Sequence, residues 1–274
     1  MKIISSFALM ILFCSCASGK DKIYTGSTPA DRVIRSFLGI PISDSVDFIR
    51  WKINMQGDTY SLKCNYGVGK PNTNGFINGG KKIDLNGPLK KDKNYYSILN
   101  GDRILKIAEL NPSLLYLLDE DNSLLIGNGG WSYTLNIVPV SESDEINIMP
   151  KSTLVKDSMA FEGRTPCRGF ASIPPGTLCY KLKWHVVFYT DIKTQKPTTY
   201  QMNGTAYRSV GAKSGTWEII TGKDNRIIYK LNSEKENAPL YLLKLDENVL
   251  IFTDEQGKLL VGDEDFSYTL NRRW

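Results

Sequence analysis

The chain carries a single histidine, no nucleophile elbow, and in neither half a helical period sustained over a useful length. One imidazole without an elbow excludes the usual hydrolase triad, and no convergent set of titratable groups stands out, so the chain is not expected to be an enzyme. Its net charge of +5 is spread through both halves with acids among the bases. A nucleic-acid partner would want a concentrated basic face, and none is visible. No apolar run is long enough to span a bilayer. Asp119-Glu120-Asp121 and Asp263-Glu264-Asp265 lack the pattern of a calcium loop and are expected to be solvated charge at hairpin turns.

What is present occurs twice. Ser123-Leu124-Leu125-Ile126-Gly127 leads into Trp131-Ser132-Tyr133-Thr134-Leu135-Asn136, and Lys258-Leu259-Leu260-Val261-Gly262 leads into Phe266-Ser267-Tyr268-Thr269-Leu270-Asn271, a constant 135 positions on. This is an internal duplication. Both endings alternate, with aromatic and aliphatic residues facing one way and Ser, Thr and Asn the other, which predicts a half-buried strand. Tryptophan-centred strands recur too: Ile49, Trp51, Ile53 and Met55 share a face, as do Tyr180, Leu182, Trp184, Val186 and Phe188. Leu115-Tyr116-Leu117-Leu118 is matched to Leu240-Tyr241-Leu242-Leu243, which makes 249–257 an extra hairpin arm in the second copy. With 23 glycines and dense turn signals, the expected class is all-β: two tandem antiparallel β-barrels, a sandwich being the competing architecture. Each half should hold its own core.

The first residues are an address. Lys2 and the apolar run Ile3 to Phe13 precede Ser15-Cys16, a small residue before a cysteine, so 1–15 reads as a lipoprotein signal peptide and Cys16 as the acylated mature N-terminus. An ordinary secretory signal is the alternative. Residues 16–36 are expected to be anchor and tether, 37–136 the first repeat, 137–160 a linker and 161–274 the second repeat. Both signal readings place the mature chain outside the cytoplasm, where Cys167 and Cys179, flanking Pro174-Pro175-Gly176, are most simply a disulfide. Cys64 falls on an apolar strand face and reads as a buried thiol. A soft-metal site of Cys167, Cys179 and His185, with Met202 adding a thioether, would suit Cu(I), but Lys181 and Lys183 share the histidine's face and oppose a cation. No cofactor is therefore expected. Trp51, Trp131, Trp184 and Phe266 could line a ligand cavity or simply fill barrel interiors.

The stretch Phe161-Glu162-Gly163-Arg164-Thr165-Pro166-Cys167, together with Asp265-Phe266-Ser267-Tyr268-Thr269-Leu270-Asn271-Arg272, resembles the NlpE-type envelope lipoproteins over most of 161–273. The first repeat resembles them more loosely, lacking the Thr-Pro-Cys opening. The resemblance implies a small lipocalin-like barrel on an outer-membrane lipoprotein facing the periplasm, associated with copper homeostasis and envelope-stress sensing. The family's second cysteine, three residues after the first, is Phe170 here. The functional expectation is a membrane-anchored binding or sensing module for an envelope protein or small ligand, with a lipocalin-like carrier of an apolar ligand as the alternative.

Overall fold

The computed structural model describes residues 21–141, 143, 145–147, 158–170, 178–204, 213–222, 225–233 and 238–274. They form two closed antiparallel barrels of eight strands each, which excludes the sandwich. Barrel one runs β1 (Lys22–Thr28), α1 (Arg32–Leu38), β2 (Phe48–Gln56), β3 (Thr59–Gly67), β4 (Lys81–Asp92), β5 (Tyr95–Asn100), β6 (Arg103–Asn111), β7 (Leu114–Leu117) and β8 (Thr134–Val138). Barrel two runs β9 (Ser158–Thr165), β10 (Leu182–Thr190), β11 (Pro197–Gly204), β12 (Lys213–Thr221), β13 (Ile227–Ser233), β14 (Leu240–Lys244), β15 (Val249–Thr253) and β16 (Thr269–Arg273). Neighbours in sequence are neighbours in the sheet, and the last strand of each barrel pairs with its first.

That closure corrects the expected boundaries. The tether expected over 16–36 is, from Lys22 onwards, part of barrel one: β1 pairs with β2 on one side and β8 on the other. Thr25 lies opposite Asn136, and Glu162 lies opposite Asn271, so Gly26, Thr28 and Pro29 stand where Gly163, Thr165 and Pro166 stand in barrel two. The Thr-Pro opening is thus present in both halves, with Ala30 in place of Cys167. Its job is the same in each. Trp51 Nε1 donates to Thr28 Oγ1 at 2.8 Å, and Trp184 Nε1 donates to Thr165 Oγ1 at 2.8 Å. The buried indole finds its acceptor on the strand that closes the barrel, which explains why both motifs outlasted the duplication. A Cβ on Gly26 would lie 2.7 Å from the Thr134 carbonyl oxygen, and one on Gly163 would lie 2.5 Å from that of Thr269, so only glycine lets the closing strands meet.

The extra hairpin arm is also corrected. Ile107 pairs with Leu117 and Leu242 with Phe252, which makes β14 the counterpart of β6, and β15 that of β7. Residues 249–257 begin with the seventh strand of barrel two rather than an insertion. The short apolar blocks resembled one another closely enough to be matched one strand out of step. The start of the expected 137–160 linker belongs to barrel one as well, because Ile137 pairs with Tyr24 and Asn147 N donates to the Leu110 carbonyl at 2.7 Å. Residues 148–157 lie outside the described ones, as does Cys16.

The two barrels close their ends differently. In barrel one α1 is the lid, starting at Asp31, whose carboxylate accepts from Ile34 N at 2.9 Å, and ending at Gly39 in the left-handed region; it buries Ile34, Phe37 and Leu38. Seven residues are too few to show a helical period in sequence, which is why no helix was expected. In barrel two Phe170 does this work, packing on Trp184, Phe252 and Tyr268 with ring centroids 4.9, 5.2 and 5.7 Å away. The side chain three residues after Cys167 is therefore an aromatic plug. Cys167 and Cys179 are joined as expected, with Cα atoms 6.0 Å apart, while Pro174-Pro175-Gly176 between them lies outside the described residues.

The repeated endings are not half-buried. Ser132, Thr134 and Asn136 and their counterparts Ser267, Thr269 and Asn271 are all within a few per cent of full burial, because their polar faces meet each other. Ser132 and Ser267 hydroxyls lie 2.6 Å apart, and those of Thr134 and Thr269 2.9 Å. Gly127 N donates to Asn271 Oδ1 at 2.8 Å, and Gly262 N donates to Asn136 Oδ1 at 2.7 Å. Each residue contacts its own copy or the reciprocal of its partner's contact, which is the signature of a two-fold interface, here within one chain. Beside this polar seam, Leu110, Leu114 and Tyr116 of barrel one and Leu243, Leu245, Val249 and Ile251 of barrel two belong to one contiguous apolar cluster. Barrel two keeps a core of its own, as expected, from Phe161 and Trp184 to Leu270, while the core of barrel one continues onto the outer face of barrel two. We predict that Asn136→Ala and Asn271→Ala each destabilise the whole chain by about 1–3 kcal/mol in denaturant titrations, each leaving a buried N–H without its acceptor. Segments 21–147 and 158–274 made apart should unfold at markedly lower denaturant than the intact chain and combine one to one when mixed. Halves that unfold like the intact chain and ignore one another would contradict this interface.

Candidate functional site

The four aromatic residues expected to line a cavity divide into two pairs. Trp51 and Trp184 are buried in their barrels, and barrel two is packed with rings: Phe188, Trp217 and Tyr229 lie with centroids 4.8–5.4 Å apart, and Trp184 lies 4.9 Å from Phe252. Trp131 and Phe266, which precede the seam strands, instead stand at the mouth of a cleft between the barrels. This cleft of 180 Å³ takes Phe48, Lys70 and Asn74 from one barrel and Arg164, Lys181 and Asp265 from the other. Cysteine and histidine chemistry is not assembled. The two thiols of Cys167 and Cys179 are in their disulfide, His185 Nδ1 lies 3.1 Å from Glu162 Oε1, and Met202 is buried in the barrel whose outer face carries His185. Among the described residues no group of three or more His, Cys, Asp or Glu could hold a metal ion. Cys64 is free and buried in barrel one, and burial, reinforced by Asp84, pushes its thiol well above the usual range.

Three things shape the cleft. Phe48 is stacked between Phe76 at 4.2 Å and Trp131 at 4.6 Å, with ring planes within 20° of parallel, so its aromatic wall is rigid. Below it, Arg50 is paired with Asp265, whose other oxygen accepts from Asn74 Nδ2 at 2.8 Å. Asp265 was expected to be solvated turn charge; it is instead an inter-barrel bolt, because the seam carries its turn against barrel one. Facing this lie Arg164, with its guanidinium 5.1 Å from the Trp131 ring centre, and Lys181, with its ammonium 5.4 Å from that of Phe266.

The electrostatics of the last two are unusual. Burial alone lowers the pKa of Arg164, and no carboxylate offsets it. Lys181 is lowered first by burial, then by Arg164 and Lys183, against which Asp265 pulls upward. Asp265 itself is already committed to Arg50. Among the described residues, then, the cleft holds two half-buried cations that neither hydrogen-bond nor ion-pair with any protein acid. The sequence contained a signal for them. At positions related by the duplication, Arg164 stands against Ser27 and Lys181 against Phe48, so the seam is symmetric in its core while these two cations have no charged counterpart in barrel one.

No family model, curated protein or solved structure matches this chain. In a denaturing thiol assay on mature protein from an oxidising compartment, we expect Cys64 alone to react, with Cys16 acylated. Replacing Cys167 and Cys179 by Ala should cost about 2–3 kcal/mol of stability, as the bridge spans 12 positions. Three reactive thiols would contradict the bridge.

Proposed function

We propose that the chain is a lipid-anchored, NlpE-like lipoprotein of the outer membrane, facing the periplasm and acting without catalysis as a binding or sensing module through the cleft between its barrels. The observation that carries this reading is that large apolar side chains are buried in both barrels while a polar cleft with unpaired charge lies at the junction. Ligand sites favour such junctions, where two rigid bodies supply converging groups. The same observation counts against the carrier of an apolar ligand, which would need an emptier barrel. A copper link of the kind the resemblance implies finds no ligand set among the described residues, and would run through a partner. Address and anchoring rest on the signal ending at Ser15-Cys16.

Two experiments test the reading. Cells given labelled palmitate should label the wild-type chain in the membrane fraction, and Cys16→Ser should lose both label and membrane association; retention of either would overturn the anchor. For the cleft, a strain lacking the gene should be complemented by the wild type but not by Thr73→Trp, which fills the cleft from its exposed rim. Sensitivity to envelope stress, copper included, is the readout, with an unchanged melting temperature showing that the variant is folded. Full complementation by Thr73→Trp would place function elsewhere.

A further inference from the structure

We propose that the inter-barrel cleft binds a phosphate monoester group, held by Arg164 and Lys181 against the edges of Trp131 and Phe266. This deepens the binding reading above and rests on it. The argument begins with charge. A guanidinium half withdrawn from water, with a second cation near enough to be felt, loses hydration that nothing in the described protein replaces. Contact with Trp131 recovers part of this, but a ring face satisfies none of the five N–H donors. Neither cation is paired with the acids beside it: Asp265 is held by Arg50 and Asn74, and Asp47, which lines the cleft and keeps its charge, accepts from the Gly69 N–H at 2.7 Å. The missing partner is therefore an anion from outside.

Its class follows from number and shape. With Arg164 unpaired, Lys181 only partly offset by Asp265 and Lys70 at the rim against Asp47, the cleft keeps an excess of about two positive charges once Arg50 and Asp265 cancel, which suits a phosphate monoester at neutral pH better than a carboxylate. A guanidinium fork fits two phosphate oxygens while an ammonium takes a third as a point charge. Lys70 places its charge at the exposed rim, along the way in. A cleft of 180 Å³ with aromatic walls suits one phosphate and the carbon skeleton next to it.

The test uses the full chain with Cys16→Ser, titrated at constant ionic strength with inorganic phosphate, glycerol phosphate and acetate, following the side-chain N–H resonance of Arg164 and the melting temperature. Saturable binding of the two phosphates, with acetate at least tenfold weaker, is expected. Arg164→Gln and Lys181→Gln should each weaken phosphate by about tenfold or more, Arg164→Lys by less, and Lys90→Gln on the far strand face not at all. Should Arg164→Gln fail to fold, Lys181→Gln carries the test. Flotation with vesicles of phosphatidylcholine, with and without phosphatidic acid, separates the sources: binding only to the anionic vesicles assigns a lipid headgroup, and binding to free phosphates alone assigns a soluble ligand. No saturable phosphate binding in any arm, or wild-type binding by Lys181→Gln, would overturn the proposal. If phosphate fails to bind while Thr73→Trp still loses function in cells, the cleft stands as the working site and only the anion class falls.

Discussion

The structure depends on one reciprocal pair of hydrogen bonds, in which Asn136 and Asn271 each reach across the pseudo-two-fold to the glycine N–H that precedes the other barrel's seam strand. A buried amide side chain is costly unless satisfied, and these can be satisfied only when both barrels sit in one register. Sliding one barrel along the other would part the facing hydroxyls of Thr134 and Thr269 and leave the buried N–H groups of Gly127 and Gly262 without their acceptors. Apolar burial beside the seam supplies most of the attraction, but it is non-directional. Orientation comes from the asparagines.

Because orientation is fixed, the region beside the seam becomes a site rather than a surface. The turn 263–265 is delivered against barrel one, where Ser27 Oγ donates to the Glu264 carbonyl at 2.9 Å and Asn136 Nδ2 donates to that of Asp263 at 3.0 Å. That delivery brings Asp265 to Arg50, and the same approach sets Arg164 over Trp131. The cleft brings together residues related by the duplication, Phe48 with Lys181 and Trp131 with Phe266, and the two copies have diverged there in charge. A double barrel from a symmetric ancestor has thereby gained an asymmetric cleft without altering either core.

Much of this was legible in sequence, and the failures share a cause. Period-two alternation and the 135-residue repeat pointed to two barrels, because strand faces are set locally. The spacing of Cys167 and Cys179, in a chain whose first residues read as an export signal, likewise pointed to their bond. What went unseen was decided between elements. The polar faces of Ser132, Thr134 and Asn136 and of Ser267, Thr269 and Asn271 look solvent-facing to any pattern, and only their mutual burial shows otherwise. Lys22 to Thr28 looks like a tether because Thr, Gly and Ser dominate it, yet Gly26 is demanded by the approach of β8. The out-of-step matching of Leu115-Tyr116-Leu117-Leu118 to Leu240-Tyr241-Leu242-Leu243 has a related origin. Strands β7 and β15 are buried on both faces, so Leu114 to Leu117 and Val249 to Phe252 carry no alternation to align. Arg164 and Lys181 are ordinary surface cations of barrel two until barrel one covers them.

The most direct test of the central claim is amide hydrogen exchange at Gly127 and Gly262 in the intact chain. Both glycines precede turns, and a loop amide exposed to water exchanges quickly. If the asparagine pair locks two barrels into one unit, both amides should be protected to the level of global unfolding and lose that protection together when either asparagine becomes alanine. Exchange of both at loop rates in the wild-type chain, with the barrel strands still protected, would show two barrels that merely adjoin.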